Sequence, residues 1–295
     1  MIQLPPGEDI ETGRVWTSLK RSPGFWIGAP IVAFFLLIAV LPGPIAGLFG
    51  HGDPRVCELS LSRGAPDWST GHPFGFTVQG CDLFASVVHG ARASIVVGVT
   101  VTLLTSVVAV VLGIAAGYFG GLVDAFVSRL SEIVFALPLL LGAIVVLNSI
   151  QGRSVWLLSV VLAVFAWPTA MRVTRGEALS IRNRHFIVAA RSSGLGTLRI
   201  LVSHVVPNTV GPVIVLATLQ IGAVISAEAT LTYLGIGLQP PAQSWGLQLS
   251  AAQNYFQAAP HLLVYPAGVL TLAVAGFVVL GESIRQATTS DRGAA

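Results

Sequence analysis

Three acidic residues in or beside long apolar runs are the first that could do chemistry: Glu132, Glu228 and Glu282. A carboxyl at mid-membrane depth costs about 3 kcal/mol, so it asks for a role such as proton relay or path lining, or for a polar partner. Glu228 follows GAVISA and precedes TLTYLG, which puts it inside an apolar helix. There it either lines a water-filled path or hydrogen-bonds a neighbouring helix. Glu132 and Glu282 fall near the ends of apolar segments with Arg129 and Arg285 within a turn, which fits ordinary solvated pairs. Other chemistries find no support, although Ser-His catalysis is harder to exclude than the rest. Lys20, the one lysine, stands in SLKRS, so no Walker A phosphate cradle exists. None of the six histidines begins H-E-x-x-H, and Ser192 and Ser193 belong to no G-x-S-x-G elbow.

The elements that position these residues follow from composition. The chain of 295 residues is 54% hydrophobic and 10% charged, with a mean hydropathy of +0.80. Soluble domains carry about 25% charged residues, so much of this surface must face lipid. A helix needs roughly 20 apolar residues to cross the hydrocarbon, and six stretches qualify: about 25–49, 93–117, 130–150, 154–171, 209–232 and 262–281. Barrel strands would be half as long and alternating. The first stretch is too long for a cleaved signal peptide. The net charge of +3 is too small an excess to suggest nucleic-acid binding. Gly113, Gly117 and Gly121 repeat G-x-x-x-G, which lets another helix approach the second span, while Pro138 and Pro168 are expected to kink the third and fourth.

Basic residues gather in an N-terminal arm (1–22, with Arg14, Lys20 and Arg21), in a loop of about 172–208 (Arg172, Arg175, Arg182, Arg184, Arg191, Arg199), and in the tail at 286–295 with Arg292, just after Arg285. Six spans place all of these on one side, which the positive-inside rule makes cytoplasmic, with both termini. The membrane domain is 23–285, and a loop of about 50–90 lies outside with Cys57 and Cys81. There the two cysteines could oxidise to a disulfide, remain free thiols or, less readily, hold a metal, although His51 and His72 lack ordinary zinc-ligand spacing.

The basic loop reads as two short helices. RNRHFIVAARSSG brings Phe186, Ile187 and Ala190 near helical spacing, with Gly194 placed for a left-handed C-cap, and Thr197 to Val206 offers a second helix that stops before Pro207. Such a hairpin, with a small exposed apolar face, suits docking in a partner's groove; lying on anionic lipid is the other reading.

The run VAARSSGLGTLRILVSHVVPN resembles the EAA loop of ABC importer permeases: an alanine pair, a glycine four residues after the second alanine and a proline thirteen beyond that glycine. GHPFG, GCDLF, HGARASIVVG, GYFGGLVD, RLSEIVFALP and AEATLTYLGIGLQPPAQSWG resemble, in the same order, the C-type subunits of the oligopeptide/dipeptide permease family, over roughly residues 23–285. Ala189, Ala190, Gly194, His204, Pro207 and Asn208 fit the loop pattern, whereas Val188 replaces its usual glutamate. HPFGFT and GCD stand where relatives read HPFGTD and GRD, so Cys81 takes an arginine position and the disulfide would mark a subgroup.

The resemblance implies an all-α integral membrane protein of the type I ABC importer permease fold in the plasma membrane, and a transport subunit, not an enzyme. It implies a homologous B-type permease as partner, two ATP-binding subunits or one fused ATPase chain, and an extracytoplasmic substrate-binding protein. ATP and Mg would be used by those partners, with no cofactor on this chain. Phe186, Val188, Ala189, Ala190, Arg191, Gly194, His204 and Pro207 would couple to the ATPase, and Glu228 and Glu132 are the candidates for the path. Short peptides are the expected cargo, with haem or metal chelates as alternatives. A proton-coupled transporter and a non-transporting scaffold are the rival readings.

Overall fold

The computed structural model describes residues 16–49 and 52–292, with side chains as far as residue 288. Arg14, the paired N-terminal prolines, His51 and the side chain of Arg292 lie outside the described residues. Eleven helices are labelled here: α1 Pro23–Val40, α2 Pro42–Ala46, α3 Leu83–Phe119, α4 Gly121–Ala136, α5 Leu139–Ser149, α6 Val155–Arg182, α7 His185–Ser192, α8 Thr197–Ile200, α9 Val206–Tyr233, α10 Trp245–Ala252 and α11 His261–Arg292. Among the described residues five helical stretches are long and apolar enough to cross a membrane, and six if the bent pair α4 and α5 counts as one span. Their outward faces are apolar, with Leu103, Val107 and Val111 on α3 and Val160 and Val164 on α6 exposed.

Prolines decide several boundaries, with different outcomes. The first expected span, 25–49, divides: α1 ends at Val40, Leu41 leaves helical geometry, and α2 begins at Pro42. A residue before proline is pushed out of the α region, which accounts for the break. The third expected span, 130–150, is broken by 82° between α4 and α5, with Leu137 extended before Pro138. Pro168, by contrast, lies inside an unbroken α6, where Trp167, Ala170 and Met171 are buried around it and hold the helix together. Pro207 does not end the second hairpin helix as expected. Thr197 to Tyr233 is one helical run of 37 residues. A π turn at Leu201–Val205 widens the helix where the Pro207 ring would otherwise meet the carbonyl of Ser203.

Three further expected boundaries move outward. α3 starts ten residues before 93 because Asp82 caps it, accepting the N–H of Ala85 at 3.0 Å. The loop expected over about 50–90 therefore closes at Asp82 and not near residue 90. α6 runs past 171 to Arg182, and α11 runs past 281 to Arg292.

The closest packing is between α3 and α6. A Cβ on Gly113 would lie 2.7 Å from Thr174 Cβ, and one on Gly117 would lie 2.6 Å from the Arg175 carbonyl oxygen. Only glycine admits that approach. Gly121, third in the series, meets nothing within 4 Å and instead takes φ +54 at the corner into α4. One core gathers α1, α3, α10 and α11 around Phe35, Leu83, Trp245 and Phe277; a second joins α3, α5, α6 and α9 around Val97, Leu147, Leu162 and Leu231. The loop between α2 and α3 is tied by a Cys57–Cys81 disulfide, by His72 Nδ1 at 2.7 Å from Asp82 Oδ2, and by Phe74 stacked on Tyr265 at 4.1 Å.

Candidate functional site

The arginine-rich end of the bundle carries the hairpin. α7 ends in a Schellman motif: Leu195 N–H donates to the Ala190 carbonyl at 3.2 Å, Gly194 N–H donates to the Arg191 carbonyl at 3.0 Å, and Gly194 takes φ +78. Leu195 packs on the cluster containing Ala190, supplying the motif's apolar contact. This fixes the angle at which the chain returns through α8 into α9.

The two sides of α7 differ from the sequence expectation. Ile187 and Ala190 do not belong to an exposed face; they are buried with Ile114, Tyr118, Ala178, Ile181, Ile200 and Val205. Helical spacing identified them as one stripe, but the stripe faces the protein's own helix ends. The apolar surface left outside belongs to Phe186 and Val188, 44% and 52% exposed, with Leu198 and Val202 beyond them on the return helix. Ala189 is exposed beside them, and Phe186 lies 6.2 Å from the half-buried His204 ring, centroid to centroid. Arg191 is a tether: its Nε donates to Tyr118 Oη at 3.3 Å and its guanidinium carbon lies 4.9 Å from that ring's centroid, holding α7 to the end of α3. Nearby, Arg175 Nη2 donates to Asp124 Oδ2 at 2.7 Å, joining α6 to α4. Pro207 is exposed, and Asn208 Nδ2 donates to the His204 carbonyl at 2.7 Å.

Glu228 sits within the bundle, fully buried. Its Oε2 accepts from Ser94 Oγ of α3 at 2.8 Å, and its Oε1 accepts from Thr232 Oγ1 at 2.9 Å. Of the two sequence readings, the hydrogen-bonded helix interface is the one this geometry has. Ser94 gave no signal in the sequence, because serine in an apolar helix is common and its partner lies 134 residues away. Glu132 is on α4, exposed and paired with Arg129 at 2.9 Å, and Glu282 pairs with Arg285 at 2.6 Å. Among the described residues no group of three His, Cys, Asp or Glu side chains could hold a metal ion.

The sequence also missed a cavity of about 570 Å³ beside the Pro138 break, lined by Phe135, Pro138, Phe165, Thr169, Leu219 and Gln220, among others. Its wall is apolar apart from Thr169 and the Gln220 amide, whose Nε2 donates to Thr105 Oγ1 at 3.0 Å. Ala227 lines it, while the next residue, Glu228, turns towards Ser94. The proline was a visible signal for a break, but the space the break opens depends on Phe165 of α6, which no local pattern supplies.

Residues 109–287 match the family described as binding-protein-dependent transport system inner membrane component. The chain is 32% identical over 288 residues to the dipeptide transport system permease protein DppC of Alkalihalophilus pseudofirmus, covering 96% of this chain and 92% of that one. It is 34% identical over 282 residues to the oligopeptide transport system permease protein OppC of Escherichia coli, covering 95% and 92%. It is 32% identical over 277 residues to the dipeptide transport system permease protein DppC of Bacillus subtilis, covering 94% and 84%.

Proposed function

The chain belongs to the family of binding-protein-dependent transport system inner membrane components, and we propose that it forms half of the translocation path of an ATP-driven importer of short peptides. Family membership makes it a multi-span transport subunit of the inner membrane that works with an ATPase and a binding protein. The finer assignment is the proposal: a homologous B-type permease completes the path, two ATP-binding subunits or one fused ATPase chain sit on the arginine-rich cytoplasmic side, and an extracytoplasmic binding protein delivers cargo. Peptide cargo is supported by relatives named as dipeptide and oligopeptide permeases.

The observation that carries the reading is the division of the hairpin. Ile187, Ala190 and the Arg191 contact with Tyr118 hold α7 to the bundle, while Phe186 and Val188 are left outside for a partner's groove. ATP shifts the transporter between inward-open and outward-open states only if the closed nucleotide dimer holds the hairpin differently in the two states. The disulfide-bearing loop would face the binding protein. The cavity at Pro138, bordered by α4, α5, α6 and α9, would form part of the path wall; an apolar wall with one amide suits cargo whose side chains vary. A proton-coupled mechanism gains little from Glu228, which is enclosed by Ser94 and Thr232.

The test is affinity purification of the tagged protein in mild detergent with mass spectrometry of what accompanies it, followed by uptake in vesicles. A second permease and Walker A-bearing ATPases should co-purify, and uptake of di- and tripeptides should require ATP. Phe186→Ala with Val188→Ala should cut uptake about five- to thirtyfold, the loss of about one to two kcal/mol of docking contact, while membrane levels hold. Isolation of this chain alone as a stable homo-oligomer, or uptake driven by a proton gradient without ATP, would refute the proposal.

A further inference from the structure

We propose that a notch at the disulfide end of the protein, between α3 and the start of α6, binds the phosphate of an anionic phospholipid, with the acyl chains lying along the apolar faces below. The notch encloses about 810 Å³, and its walls include Arg55, Arg92, His89, Val155 and Trp156. Among the described residues the one carboxylate on the rim is Asp53, whose Oδ1 accepts the backbone N–H of Arg55 at 2.9 Å. Neither the Arg55 nor the Arg92 guanidinium has a partner among the described residues. Arg153, nearby, is not available, because its guanidinium donates to the carbonyls of Leu147 and Ile150.

A second feature points at the same space. Val155 and Trp156 are the first two residues of the 28-residue α6, and Ser154 Oγ caps only the N–H of Leu157. The remaining first-turn N–H groups and the positive end of the helix dipole add to the guanidiniums in attracting an anion.

Depth and shape select a lipid over a soluble anion. Gly113 meets Thr174 and Gly117 meets Ala178, so α3 and α6 run parallel at a constant offset, which sets Arg92 level with the beginning of α6. That is the depth at which both helices enter hydrocarbon, the usual place for an interfacial tryptophan such as Trp156. Below the rim the same helix faces continue as exposed apolar tracks: Leu103, Val107 and Val111 on α3, and Val160 and Val164, spaced by four from Trp156, on α6. A phosphate at the rim with two chains along these tracks satisfies both the charge and the apolar surface.

The experiment uses the assembled importer, purified in mild detergent and offered equimolar dioleoylphosphatidylglycerol and dioleoylphosphatidylcholine, with retained lipid read by native mass spectrometry. The wild type should retain the anionic lipid preferentially. Each guanidinium near the surface contributes about fivefold, so Arg55→Gln with Arg92→Gln should weaken retention roughly 30-fold, while Arg92→Lys keeps most of it. If the double variant does not assemble, Arg92→Gln alone should still show its fivefold. Equal retention of the two lipids by the wild type, an unchanged preference in the glutamine variants, or displacement of the lipid by millimolar inorganic phosphate would each overturn the proposal, the last by identifying a soluble-anion site.

Discussion

Replacing Glu228 with alanine strands two hydroxyls in the middle of the bundle. Ser94 and Thr232 are both fully buried, and each donates to the Glu228 carboxyl. A buried hydroxyl left without its acceptor costs about 1 kcal/mol at the low end of the usual range. The deleted carboxymethyl group leaves a void on the order of 50 Å³, worth about 1 kcal/mol more. The alanine variant should therefore lose about 3 kcal/mol, which on the scale of large soluble domains is roughly 6–12 °C in midpoint. Glu228→Gln keeps the shape and one carbonyl acceptor, and interhelical hydrogen bonds in membranes average about 0.6 kcal/mol, so it should lose no more than about 1 kcal/mol. The assay pairs the thermal midpoint of the assembled importer, followed by tryptophan fluorescence, with peptide uptake per assembled complex. Both variants should transport normally once uptake is normalised to assembled protein. A glutamine variant of wild-type stability that loses most of its uptake would refute the reasoning and place the carboxyl in the path; an alanine variant as stable as wild type would show that the two hydroxyl contacts carry no weight.

Gly117→Val should prevent α3 and α6 from closing, since its Cβ would lie 2.6 Å from the Arg175 carbonyl oxygen, and a loss of more than about 3 kcal/mol should appear as depleted full-length protein in membranes. Gly211→Ala, on a helical glycine with nothing within 4 Å, should be neutral or slightly stabilising in the same immunoblot. Cys57→Ser opens a loop closed over a sequence separation of 24 and should cost about 3.5 kcal/mol in the chain-entropy model, read as a lower midpoint, while the wild type should take up maleimide only after reduction.

The number of spans and their order were legible because a lipid-facing helix must be apolar over a known length, and that length is written in the chain. What could not be read is how each proline would be treated. Pro138, Pro168 and Pro207 have the same chemistry, yet one bends its span by 82°, one is carried within an unbroken helix, and one is absorbed by a π turn. The difference lies in neighbours from other helices, which no local window contains. The ten-residue error at the start of α3 was avoidable, since the Asp82 cap is visible in GCDLF. In the hairpin, the Gly194 turn follows from a residue type whose backbone preference is local, whereas the direction in which Ile187 points depends on Tyr118 and Ile114, which are far away in sequence. Glu228 stayed undecided between two roles for the same reason.

The unbroken run from Thr197 to Tyr233 has a mechanical consequence. At 1.5 Å per residue, its 37 residues make a rod about 55 Å long, with the α7 hairpin at one end and the Glu228 contact to Ser94 near the other. A tilt of about 5° about one end would sweep the far end through roughly 5 Å, one helical turn. In the proposed coupling, a push at the hairpin would have to pass through the π turn at Leu201–Val205, where the α hydrogen-bond ladder is interrupted, and a bend there would absorb part of it before it reached the far end.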